Sequence, residues 1–222
     1  MIVDKNLELD FDAYSELANG PIQRDEAIFL FGITRVLRPK VVVEMGFFQG
    51  DSARVLLDAL DNDSQLFSFD VDPSAKEYAQ QIDDSRFKFI NKSQEEFRTQ
   101  DIGGLSVDFL FVDASHDLKS NQSMYARIES SLANHSTIVI HDTGTWPIEM
   151  AMNYPEWNAH MAVTDGKLSG GEFAHQPDER RFVNWLIGSD ESLNAIHLHT
   201  LNTVRHGLTI VQKKANLRGI DV

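Results

Sequence analysis

The sequence predicts an α/β fold: a doubly wound, mostly parallel sheet of seven strands, with an antiparallel strand at its C-terminal end and an insertion after the fifth strand. Three observations predict it. Short apolar, β-branched runs alternate with helix-like segments five times between residues 41 and 142, the pattern of a parallel sheet covered by helices on both faces. Acids stand at the ends of four of these runs, at Glu44, Asp70, Asp113 and Asp142, and ligands of such folds bind outside the carboxyl ends of the strands. Two later runs, Ala195–Leu198 and Leu208–Val211, read as a closing antiparallel pair.

Residues 1–38 form an N-terminal helical segment. A weak helix is expected over 10–19, and Asn19-Gly20-Pro21 breaks it, with Pro21 suited to a helix start. The next helix, over 22–37, carries Ile28, Phe31 and Val36 and stops at Pro39. Val41-Val42-Val43 is apolar at every position, which predicts a strand buried on both faces. A helix follows the turn at Glu44-Met45-Gly46, with Asp51 or Ser52 near its start and Val55, Leu56, Leu57 and Leu60 along it. Then come a strand at 66–69, a helix at 73–82, a strand at 87–90 and a short helix at 93–99. The fourth strand, 107–112, ends at Asp113; a helix over 117–132 leads to the fifth, 137–140, which ends at His141-Asp142.

Residues 144–176 break the alternation. They are rich in Gly, Asn and aromatic side chains, including Trp146, Tyr154 and Trp157, and read as a lid inserted over the strand ends. Trp146 and Trp157 either wall a pocket for an aromatic or sugar group or pack within the lid. A helix over 177–186 follows, with Asp178 and Glu179 suited to its positive N-terminus, Phe182, Trp185 and Leu186 on one face, and Gly188 at its close. Arg180 or Arg181 either grips an acidic substrate group or belongs to a solvated helix start. His197, His199 and His206 show no ligand spacing.

Composition narrows the function. The 222 residues read as one domain, 42% hydrophobic, with a core to match. Twenty basic against 34 acidic side chains give a formal charge of −14. Such a surface repels phosphate backbones and anionic lipid, so neither nucleic acid nor a membrane is an expected partner. Without cysteine there is no disulfide, thiolate metal site or cysteine nucleophile. The first ten residues lack the basic and apolar stretches of a signal peptide, and no apolar run reaches membrane-spanning length. A soluble, cytoplasmic protein is expected.

Four motifs carry chemistry. In Glu44-Met45-Gly46-Phe47-Phe48-Gln49-Gly50-Asp51-Ser52, the glycines let a ligand approach the backbone, and the helix start offers N–H groups. The dinucleotide pattern G-x-G-x-x-G and the phosphate-loop pattern are both absent. Asp70, ending the second strand, suits two ribose hydroxyls; Asp72 suits a helix cap. Asp113-Ala114-Ser115-His116 places an imidazole three residues beyond a strand-end acid, and its ordinary pKa near 6.5 suits proton abstraction. The fourth motif is His141-Asp142-Thr143-Gly144.

Over residues 22–146 the chain resembles class I S-adenosylmethionine-dependent methyltransferases, which have a Rossmann-like sheet. It is most similar to metal-dependent small-molecule O-methyltransferases of the catechol, caffeoyl-CoA and macrocin types. The resemblance rests on Glu44-x-Gly46-x-x-x-Gly50-x-Ser52 in order. It implies a cofactor site of Glu44, Gly46, Phe47, Gly50, Ser52, Asp70 and Asp113, with Ser93 and Gln94 against the adenine. Ser93 equally suits an N-cap completed by Glu96. The resemblance further implies a divalent ion, Mg²⁺ by preference, on Asp113, Asp142 and Thr143, and His116 as general base. Thr143 departs from the family's asparagine, so His141 is the alternative third ligand, and a metal-free enzyme relying on His116 stays open.

The expected reaction is methyl transfer from S-adenosylmethionine to a hydroxyl of a small molecule. Rival readings are a cephalosporin-hydroxylase-like enzyme on the same scaffold, a nitrogen acceptor, and a non-catalytic cofactor-binding module. The N-terminal helix suits a homodimer contact.

Overall fold

The computed structural model describes residues 22, 24–144, 146–147, 173–175, 178–198 and 207–213. Its elements run α1 (Arg24–Leu37), β1 (Val41–Met45), α2 (Asp51–Ala59), β2 (Gln65–Asp70), α3 (Ala75–Ala79), β3 (Phe87–Asn91), β4 (Val107–Val112), α4 (Leu118–Ile128), β5 (Leu132–Ile140), β6 (Trp146–Pro147), β7 (Phe173–His175), α5 (Asp178–Ser189), β8 (Leu193–Leu198) and β9 (Leu208–Lys213). The order across the main sheet is β3-β2-β1-β4-β5-β9-β8. Neighbours from β3 to β5 are parallel, and β9 runs antiparallel to both β5 and β8. This is the expected seven-stranded sheet. The strand order reverses at β1 and β4, which is where a ligand cleft opens in such folds.

Alternation along each strand decides which helix a side chain meets. Val41, Val43 and Met45 of β1, Leu110 and Val112 of β4 and Ile138 and Ile140 of β5 pack with Met124 and Ile128 of α4 and with Phe182 and Leu186 of α5. Val42, Phe109, Phe111 and Val139 pack on the other face, with Ala27 and Leu30 of α1 and Val55 and Leu56 of α2. The continuously apolar strands are thus buried on both sides.

Local chemistry trims two expected elements and lengthens a third. The helix expected over 73–82 is reduced to α3, because Asp72 turns the chain by accepting from the Ser74 N–H at 2.8 Å. The helix expected at 93–99 is a 3₁₀ turn over Gln94–Glu96, capped by Ser93, with a second 3₁₀ turn at Thr99–Ile102. The fifth strand starts at Leu132 rather than 137; Asn134, His135 and Ser136 interrupt its apolar run, and residues 132–135 are partly or fully exposed, which hid this half from the hydrophobic pattern.

The helix expected over 10–19 lies outside the described residues, as do His199, His206, Tyr154 and Trp157. Of the expected lid, β6 and β7 pair antiparallel. No helix among the described residues is long and apolar enough to cross a membrane.

Candidate active site

Three strands, β1, β4 and β5, finish on the same rung, and β2 runs one residue beyond it. Met45 is level with Phe69 and Val112, and Val112 with Ile140. The ladder continues one residue further: Gly46 N–H donates to Phe69 O at 2.9 Å, Asp113 N–H to Met45 O at 2.8 Å, and His141 N–H to Val112 O at 3.0 Å. Gly46, Asp70, Asp113 and His141 therefore stand side by side at the carboxyl end of the sheet.

Gly46 is required by this arrangement. Its φ is +94°, and a Cβ there would lie 2.0 Å from the Asp113 carbonyl oxygen. Beyond it the loop folds onto Asp70, whose Oδ2 accepts from the N–H groups of Phe47 at 3.0 Å and Phe48 at 2.7 Å, while Oδ1 accepts from Asp72 N–H at 2.8 Å. Asp70 thus fastens the glycine loop as well as facing the cavity. Gly50, at φ +83°, packs on the Phe47 ring and precedes the first turn of α2.

Glu44 points away from the cavity, toward the α2 face, and is wholly buried. Its carboxylate accepts from Ser52 Oγ at 2.5 Å and from Ser68 Oγ. Glu44 and Ser52, expected to touch the cofactor directly, are not among the residues lining the cavity; with Ser68 they join β1, β2 and α2. Burial pushes the Glu44 carboxyl up from 4.5 to about 7 against the pull of the two serines, with Asp113 and Asp70 adding to the rise.

That shift has a sign. Between pH 4.5 and 7 the folded chain keeps a proton that the unfolded chain has released. Stability that Glu44 contributes below pH 4.5 is lost as pH rises through about 7. Glu44→Gln should therefore gain on the wild type by about 2–3 kcal/mol between pH 5 and pH 8. Urea melts at the two pH values check this; a pH-independent difference would contradict it.

The acidic end of the site is held by His141, which is 1% exposed. Period-two alternation turns it toward α1, where Nε2 meets Glu26 Oε2 at 2.9 Å; Nδ1 meets Asp113 Oδ1 at 3.0 Å and lies 3.5 Å from Asp142 Oδ1. Burial opposes charge on this imidazole, but the Asp113 and Asp142 carboxylates and the bonds to Asp113 and Glu26 raise its pKa well above the ordinary value. Asp142 takes a left-handed φ of +55°. The ligand atoms of Asp113, His141 and Asp142 lie within 4.8 Å of one another.

Thr143 does not join them. Its hydroxyl donates to Gly207 O at 3.3 Å and accepts from Thr209 Oγ1 at 2.7 Å, so it closes the β5–β9 seam. This corrects its expected place as a metal ligand: one residue past Asp142, the chain has turned it toward β9.

His116 stands in the loop between β4 and α4. Its Nδ1 is hydrogen-bonded to Glu179 Oε1 of α5 and lies 3.8 Å from Asp142 Oδ2. The side chain is 37% exposed, at the mouth of a cavity of about 510 Å³. Gly46, Phe48, Asp70, Ser93, Gln94, Asp113, His116 and Asp142 are among the residues lining it. Phe48 takes the place expected of Phe47, whose ring is buried against Phe87 and Phe89. Ser93 lines the cavity and also forms the expected capping box with Glu96. Gln94 is braced by Asn121 Oδ1 at 3.1 Å. Arg181 pairs with Asp178 at 2.8 Å, as a helix start would have it, and His197 bonds to Thr209 Oγ1 at 2.7 Å.

Two acids bonded to the site's histidines escaped the sequence, Glu26 and Glu179. Both occupy the first turn of a helix, where an acid already has a local reason to be.

Known proteins bear on this geometry. A family model described as a methyltransferase domain matches residues 43–143. No curated protein matches the chain. Among solved structures, the O-methyltransferase of Bacillus cereus in complex with SAH is 16% identical, with a TM-score of 0.61 over 91% of this chain and 87% of that one. The O-methyltransferase TomG of Streptomyces achromogenes, involved in tomaymycin synthesis and in complex with SAM, is 14% identical, with a TM-score of 0.60 over 92% and 89%. An rRNA methylase of Streptococcus thermophilus is 14% identical, with a TM-score of 0.55 over 86% and 96%. At these identities the likeness is one of fold, and it spans enzymes with different acceptors. The matched segment, residues 43–143, carries the end of β1, all of β4, the glycine loop and the acids of the cavity, and over it the chain is similar to methyltransferase domains.

Proposed function

We propose that the protein moves a methyl group from S-adenosylmethionine to a hydroxyl of a small molecule, with His116 as general base and a divalent ion beside it. The observation that carries this reading is the cavity itself: it joins the Gly46 loop and Asp70 at one end to Asp113, Asp142 and His116 at the other. Its acids favour a cationic ligand, and at Gly46 the backbone has a close approach that a Cβ would fill. When bound, the cofactor supplies a sulfonium methyl group. Asp70 would accept from the ribose hydroxyls, and Ser93 and Gln94 would flank the adenine. The chain's task is then mostly alignment. His116 would take the acceptor's hydroxyl proton as the hydroxyl oxygen becomes the nucleophile.

Two carboxylates and an imidazole fit a divalent ion with oxygen and nitrogen donors. Asp113, Asp142 and His141 would hold it, and it would acidify the acceptor hydroxyl. His141 has the arrangement a metal-binding histidine needs, with Glu26 behind Nε2 and Nδ1 facing the two aspartates. Glu26→Gln is accordingly expected to weaken Mn²⁺ binding about 10–100-fold. Titration calorimetry of the wild type and the variant measures this; equal affinities would remove His141 from the ligand set.

The charge of −14 supports a small molecule rather than RNA as acceptor. The deciding experiment is calorimetric titration with S-adenosylhomocysteine, first with Mg²⁺ and then with EDTA. Micromolar binding supports the proposal. No binding in either condition refutes it.

A further inference from the structure

Glu179 is a carboxylate that the mechanism above does not use. It sits in the first turn of α5, is 4% exposed, and its Oε1 is bonded to Nδ1 of His116. Helix-dipole complementarity alone asks for an acid near the N-terminus, and an exposed one serves. Docking of α5 is served by its neighbour: Asp178 Oδ2 accepts from Leu118 N–H at 3.0 Å, tying α5 to the start of α4, and Asp178 Oδ1 pairs with Arg181. The two adjacent acids thus hold the same loop at two points, one at its backbone and one at its imidazole.

A buried carboxylate is costly unless its partner repays it. Burial raises the Glu179 carboxyl above its ordinary pKa, while the bond to His116 and its nearby charge act in the opposite direction. An ionised carboxylate can only accept, so its partner nitrogen must carry a hydrogen. We propose that Glu179 is the positioning residue of His116: it holds the proton on Nδ1, keeps the basic lone pair on Nε2, and stabilises the imidazolium formed when Nε2 takes the acceptor's proton. The proposal rests on the reading of His116 as the base of methyl transfer. Among the described residues, Asp142, 3.8 Å from the same Nδ1, is the other acid facing this ring. It belongs to the Asp113–His141 cluster and is farther from His116 than hydrogen-bond reach.

The test uses the full chain and two variants. Long-range ¹H–¹⁵N correlation spectra are recorded where the His116 ring is neutral. The wild type should show the Nδ1–H tautomer, and Glu179→Gln should shift it toward Nε2–H, because an amide can donate as well as accept. Asp178→Asn is the structural control: it should lower the melting temperature without altering the His116 nitrogen signature. With S-adenosylmethionine and catechol as probe acceptor, Glu179→Gln should lower kcat about 10²–10³-fold and leave KM for S-adenosylmethionine within twofold. A wild-type ring in the Nε2–H form, or an unchanged signature and kcat in Glu179→Gln, overturns the proposal. Failure of the wild type to bind S-adenosylhomocysteine counts against methyl transfer instead; the nitrogen spectra decide the role of Glu179 in either case.

Discussion

His116→Gln is expected to lower kcat by about 10²–10⁴-fold while the affinity for S-adenosylhomocysteine stays within twofold. Glutamine is the informative replacement. Its amide can still donate to the buried Glu179 carboxylate, so the variant avoids the penalty of about 1–3 kcal/mol for stranding that group. What it cannot do is accept a proton at neutral pH. The loss should fall on turnover because the proposed function puts His116 at the acceptor end of the cavity and Gly46, Asp70, Ser93 and Gln94 at the cofactor end. Radiolabelled methyl transfer, paired with calorimetry, separates the two quantities. Unchanged turnover would remove the base from the mechanism, and a parallel loss of cofactor affinity would make His116 a binding residue.

Gly46→Ala is expected to cost about 3–5 kcal/mol of stability and to abolish micromolar affinity for S-adenosylhomocysteine. Two penalties coincide there. The φ of +94° is strained for any L side chain, and the new methyl would lie 2.0 Å from the Asp113 carbonyl oxygen and 2.5 Å from its carbon. Relief requires β1 and β4 to part at the rung where Asp113 N–H bonds to Met45 O. Gly103→Ala separates the two effects. Gly103 also has a positive φ, +71°, but open space where its Cβ would go. It should lose only about 1 kcal/mol and keep its cofactor affinity. Equal losses in the two variants would mean that backbone strain, not contact with Asp113, makes Gly46 necessary.

The site was legible where a residue's role follows from its place on its own strand or loop. Asp70 and Asp113 end their strands, and Gly46 follows one, so alternation of strand and helix put them at the carboxyl edge before any contact was known. Roles that depend on another element were not legible. The glycine loop looked like a row of cofactor contacts, yet its Phe47 is core and its Phe48 faces the cavity, because Asp70 holds both N–H groups and fixes how the loop turns. Glu44 was read as a ligand to the cofactor, since nothing local reveals that Ser52 and Ser68 flank its carboxylate.

Glu26 and Glu179 show the same boundary most clearly. In the sequence each is an acid in the first turn of a helix, a placement that helix electrostatics already explains. Their partners, His141 and His116, lie far along the chain, on the other side of a packing interface. The sequence by itself determined the α/β class, the strands and the carboxyl edge, because apolar periodicity and strand-end residues are local properties. Only the tertiary structure decided which side chains look into the cavity and which carboxylate stands behind each histidine. Strand alternation sends His141 to α1, and the docking of α5 on α4 brings Glu179 to His116; both depend on distances across packed elements that no window of sequence contains.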